Sequence, residues 1–189
     1  MCAMPCQPET GDFADQHLDA PLSSIPNSKQ TDASKCHSVS VLAKARCHAD
    51  AGRFKQAIDV LNTVPTDAAA TNDKGVCLMR MGNHWEAVQV LRNLVLQPGC
   101  TWMRKRLPTA YKVNFATSLA LGGLVFGCTE ILCEINDESN PAVVRLRDSL
   151  AKWRKSLSFL QRINVFMGGQ SSQPVTLDYE VGEFSKLAG

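Results

Sequence analysis

The stretches AGRFKQAIDVL (51–61), MGNHWEAVQVL (81–91) and GGLVFGCTEIL (122–132) share one frame, a glycine followed by a small residue and then a leucine at fixed offsets. The frames are Gly52, Ala57, Leu61; Gly82, Ala87, Leu91; and Gly123, Cys128, Leu132. Each glycine also follows, at one shared offset, a small residue: Ala45, Gly75 or Ala116. Self-similarity of this kind is the signature of stacked supersecondary units. From Val39 to Phe166 the apolar residues fall mostly at helical spacing, broken at Gly52, Pro65, Gly82, Pro98, Gly123 and Pro141. No strand-like alternation competes there, so the body is expected to be all-α.

The frame resembles the tetratricopeptide repeat over residues 36–136, most faithfully in Asn72–Pro98, NDKGVCLMRMGNHWEAVQVLRNLVLQP. In that family a small residue lets helix A cross its partner closely, a glycine makes the turn, and helix B carries an alanine at the next crossing. The resemblance implies a right-handed superhelix of about three helix pairs. The glycines stand 30 and 41 residues apart, against a family repeat of about 34, which implies a short first linker and an insertion in the second. Val41 and Thr71 replace the large aromatic expected near the start of helix A, and Lys74 stands where leucine is usual, so the copies are degenerate.

After the third copy, Asn140-Pro141 reads as a helix start, because asparagine caps free N–H groups and proline has none to satisfy at the first helical position. Val143, Leu146, Leu150, Trp153, Leu157, Leu160 and Ile163 then form a narrow apolar stripe. The spacing predicts one long C-terminal capping helix that covers the end of the stack, or pairs as a homodimer. The domain is expected to span 35–167.

Residues 1–34 carry four prolines among polar residues, and Glu9, Asp12, Asp15, Asp19 and Asp32 against Lys29 alone. Such a stretch buries too little to offset its ordering entropy and is expected to be a disordered acidic tail. At the other end, in 168–189, Val175, Leu177, Tyr179 and Val181 alternate with polar neighbours, which predicts an extended segment.

With 189 residues, 44% of them hydrophobic, one core of ordinary size is expected. The net charge of +2 does not describe a dedicated nucleic-acid binder. Eight cysteines suggest a disulfide framework only in small secreted domains. No basic stretch followed by an apolar run opens the chain, and a reducing, cytoplasmic setting is expected. The uncharged run Val113–Thr129 is interrupted by glycines and polar residues and falls short of a bilayer span.

Little in the sequence supports chemistry. There is no Cys-x-x-Cys, and Cys36-His37 and Cys47-His48 stand apart without metal-ligand spacing. No nucleophile elbow or phosphate-cradling loop is present, so no enzyme, metal or cofactor is expected. Two basic clusters remain. Arg104, Lys105 and Arg106 flank Trp102, and the capping helix carries Arg145, Arg147, Lys152, Arg154, Lys155 and Arg162 against Asp148. That face is the alternative site, for nucleic acid or another anionic surface.

The resemblance implies a protein-interaction scaffold whose helix A faces line a groove for an extended peptide. Carried over by position, the groove residues are Val39, Leu42, Arg46 and Ala49; Ala69, Asn72, Val76 and Met79; and Ala110, Val113, Thr117 and Ala120. Only Arg46 and Asn72 resemble a carboxylate clamp, so an apolar peptide is the expected ligand. PVTLDYEVGEF (174–184) is such a peptide, and Val175, Leu177 and Tyr179 are expected to contact the groove.

Overall fold

In the computed structural model the backbone is described for residues 28–135, 137–167, 169 and 173–186, with side-chain surroundings from residue 39 onward. Among these residues eight α-helices follow one another: α1 (Ser28–Asp50), α2 (Phe54–Leu61), α3 (Ala68–Arg80), α4 (His84–Val95), α5 (Thr109–Leu121), α6 (Val125–Ile135), α7 (Pro141–Ser156) and α8 (Phe159–Phe166). The all-α expectation holds among the described residues. Residues 1–27 of the expected tail lie outside them, and 28–34 are helical, as the first turns of α1.

The three turn glycines do what the repeated frame requires. Gly52, Gly82 and Gly123 have φ of 70°, 80° and 79°, the left-handed region that costs a side-chain residue strain. Each turn reverses the chain, so α1 packs on α2, α3 on α4 and α5 on α6. The small residues of the frame are buried between them: Ala45, Ala57, Ala87, Ala116 and Cys128. The closest crossing is at Gly75, where an added Cβ would stand 2.5 Å from Cγ of Leu91. A side chain at position 75 could be seated only if the buried Leu91 side chain, or α3 itself, moved.

α1, α3, α5 and α7 touch in succession and form one layer, while α2 and α4 each pack between two odd-numbered helices and α6 packs against α5. The apolar interior falls into two clusters. A large one joins α3 through α7, and a smaller one, containing Leu42, Ala45, Ala49, Ala57 and Leu61, holds the first pair. Ile58 and Phe184 pack against both.

Side-chain caps open α3 and α7. The Asp67 carboxylate accepts from the N–H groups of Ala69 and Ala70 at 2.7 and 3.2 Å, and Asn140 accepts from Ala142 N–H at 3.0 Å with Pro141 at the first helical position. The insertion between α4 and α5 closes on itself. Leu96 and Met103 form an isolated bridge, and the Arg104 guanidinium donates to the carbonyls of Leu96 and Asn93.

One expectation is corrected. The capping stripe does not run along a single helix: Leu157 is extended (ψ 142°), and Ser158 opens α8 with a capping box closed by Gln161. The box satisfies free N–H groups locally and makes a new start cheap. Val143, Leu146, Leu150, Trp153 and Leu157 are buried, whereas Leu160 and Ile163 remain 76% and 41% exposed.

Candidate functional site

The chain from Gln173 to Lys186 carries no helix and crosses the layer of odd-numbered helices from α7 to α1. It enters at α7, where Trp153 Nε1 donates to the Gln173 carbonyl at 3.1 Å and Val175 is buried. Leu177 and Tyr179 are half-buried, with the Arg145 guanidinium carbon 5.3 Å from the Tyr179 ring centroid. The segment then reaches α3. Arg80 donates to the carbonyls of Val181 and Gly182 at 3.0 and 3.1 Å and pairs with Glu180 at 2.6 Å.

Gly182 sits directly on the α3 side chains. Its φ is 78°, and an added Cβ would stand 2.9 Å from Val76 Cγ1 and from Met79 Cε. Two independent constraints, backbone hand and space, therefore favour glycine here.

At Glu183 the segment is read as backbone. Asn114 on α5 accepts from the Glu183 N–H at 2.8 Å and donates to its carbonyl at 2.7 Å, so one amide side chain pairs both groups of one residue, as a neighbouring strand would. Asn72 donates to the same carbonyl at 3.2 Å and accepts from Asn114 at 2.8 Å. The Glu183 side chain itself is exposed.

Phe184 has two cations over its ring, the guanidinium carbons of Arg46 and Arg80 at 4.2 and 4.5 Å from its centroid. A positive charge over the negative face of an aromatic ring is attractive, and more so where water is excluded. Ser185 is buried in a polar nest. Its N–H donates to Asp73 at 2.7 Å, its carbonyl accepts from Arg46 at 2.9 Å, and its hydroxyl donates to the Ala69 carbonyl at 3.1 Å and lies 3.0 Å from Tyr111 Oη.

Burial sets the protonation of this nest. Desolvation raises the Asp73 pKa above its ordinary 3.8, opposed by hydrogen bonds from Ser185 and Asn72 and by the Arg46 charge. Burial likewise raises the Tyr111 phenol, and it pushes the Cys77 and Cys128 thiols up to about 12, far from thiolate nucleophiles. Among the described residues no three His, Cys, Asp or Glu side chains gather to hold a metal ion, and no helix is long and apolar enough to cross a membrane.

The residues singled out in the sequence divide as follows. Arg46, Asn72, Val76 and Met79 touch the extended segment. Leu42 is buried in the cluster against which Phe184 packs. Val113 and Thr117 line a hollow of about 260 Å³ between α5, α7 and the segment, with Thr117 donating to the Val113 carbonyl of its own helix. Of the basic residues, Lys152 pairs with Asp178, Arg147 with Glu138, Arg154 donates to Thr129, and Arg145 stands over Tyr179. Lys155 is exposed.

Sequence reasoning missed Asp73, Arg80, Tyr111, Asn114 and, on the segment, Ser185. A signal existed. Asp73 and Asn114 occupy the same place in the repeated frame, one residue beyond the groove positions Asn72 and Val113. Asn114, mid-helix between Val113 and Phe115, marks a buried hydrogen-bonding position better than a solvated one, whereas Asp73, between Asn72 and Lys74, carries only its place in the frame.

A larger hollow, about 770 Å³, lies elsewhere, between α6, α7 and α8, beside exposed Phe126. It is apolar and holds no convergent set of buried polar groups, so the network on the odd-numbered layer is the better site. Compared with protein-family models, with curated proteins and with solved structures, the chain gives no match.

Proposed function

We propose that this chain is a non-catalytic protein-interaction scaffold, a right-handed superhelix of three tetratricopeptide-like helix pairs that binds extended peptides along its odd-numbered helices. The glycine turns, the close crossing at Gly75 and the successive contacts of α1, α3 and α5 support the architecture. One observation carries the function: an extended segment lies across that face, held through its backbone by Asn114, Asn72, Arg80, Asp73 and Arg46. Backbone pairing with side-chain niches on alternate positions is the physics by which proteins hold peptides in extended form.

The basic face of α7 supports the anionic-surface reading less well, because four of its cations are engaged by groups of the same chain. Panning a random-peptide library on the chain with its segment loosened by Gly182→Val tests the proposal. Enrichment that vanishes when Asn114→Ala is added is expected. No enrichment on the folded variant would sink it.

A further inference from the structure

We infer that the groove is selective for one peptide chemistry, acidic-x-Gly-x-aromatic-Ser, and that residues 173–186 are its resident ligand, exchangeable for a partner segment of the same pattern. This rests on the peptide-binding reading above and adds the specificity to it.

Each position follows from a contact. Arg80 has only one ion-pair partner among the described residues, Glu180, which selects an acid at the first position. Val76 and Met79 leave no room for a Cβ at Gly182, and the left-handed backbone there excludes other residues a second time. The exposed Glu183 side chain leaves that position open to any residue, since Asn114 reads only its backbone. Two guanidiniums over the Phe184 ring require a π face, which leucine of similar volume lacks. The hydroxyl at Ser185 is enclosed by Ala69 carbonyl, Tyr111 and Asn72, where alanine would leave polar groups unpaired.

The resident segment also fits a replaceable ligand. It is joined to the helices by the chain after α8, so it competes with an outside peptide at an effective concentration on the order of millimolar. A lesion in the segment, rather than in the groove, removes that competition while keeping the reader whole.

The test uses the full chain carrying Gly182→Val or, independently, Phe184→Ala, with helix content checked by circular dichroism. The probe is a labelled peptide of residues 173–186, QPVTLDYEVGEFSK. Anisotropy titration should give binding to both variants at least about tenfold tighter than to the wild-type chain. Peptides carrying Gly182→Val, Phe184→Leu or Ser185→Ala should bind at least about tenfold more weakly than the parent. Equal binding of all peptides, a scrambled one included, overturns the selectivity and leaves the peptide-binding reading standing. No binding of any peptide to the folded variants overturns both. Loss of helix in both variants makes the segment a fixed part of the fold and overturns exchange.

Discussion

The two halves of the segment that crosses the odd-numbered helices hold on by different physics. From Val175 to Tyr179 it offers alternate apolar side chains to α7, and its charges stay in water: Lys152 and Asp178 pair at 3.2 Å with both side chains more than two-thirds exposed. From Glu180 to Ser185 it offers mainly backbone and small groups, and the helices answer with buried amides, a carboxylate and two guanidiniums. In the first half a shift of two residues would keep the same alternation of apolar and polar side chains. The second half has one register. Low local dielectric makes each satisfied hydrogen bond there strong and each missing one costly.

This contrast can be broken most severely at Asn114. Asn114→Ala leaves the Glu183 N–H without its partner and takes one hydrogen bond each from the Glu183 carbonyl and the Asn72 side-chain oxygen, and chemical denaturation should register a loss of about 3 kcal/mol, because three hydrogen bonds in a buried network go together. Gly182→Val follows, at about 2 kcal/mol, from the left-handed backbone and the crowding against Val76 and Met79. Hydrogen exchange should place that damage in residues 180–186 and spare α4 and α6.

In the apolar half, Val175→Ala should cost about 1.5 kcal/mol by loss of buried hydrocarbon, with no change in exchange at Ser185. A large effect at Ser185 would mean the halves are one cooperative unit. Lys152→Ala should leave the melting temperature unchanged, since an exposed pair contributes little and is screened by salt.

Proton linkage sharpens the same comparison, because the polar half buries the Asp73 carboxyl. Asp73 binds its proton more tightly in the folded chain than at the ordinary 3.8. Its contribution to stability is therefore complete below that value and falls away as pH rises through the folded pKa. Asp73→Asn keeps an acceptor for Ser185 and Asn72 and removes the titration. The melting temperature of wild type relative to this variant should decline as pH rises above about 4. A rise would mean that the Arg46 charge and the hydrogen bonds outweigh burial.

Much of the fold was legible in the residues. The repeated frame located the turns at Gly52, Gly82 and Gly123, and its small residues proved to be buried contacts. The C-terminal alternation was legible as extended chain. The site was legible only in part. Val175 is buried as alternation implied, but Leu177 and Tyr179 are half-exposed and the tightest contacts lie further on, at Gly182, Phe184 and Ser185. The break in the capping stripe was also hidden. Apolar spacing continues through Leu157, Leu160 and Ile163, and only the box at Ser158 and Gln161 starts a separate helix.

By itself the sequence determined the elements whose causes are local: where helices run, where glycine must turn them, and which small residues let them cross. Those depend on backbone sterics and periodicity within a few residues of one another. Tertiary structure alone decided that Asn72, Asp73, Tyr111 and Asn114, polar residues that a helix could equally have turned to water, face the backbone of Glu183 and the backbone and hydroxyl of Ser185. Asn114 and Glu183 are 69 positions apart in the chain, and Asp73 and Ser185 are 112. A hydrogen bond across such a distance leaves no periodicity behind, because its geometry is set by the stacking of whole helices.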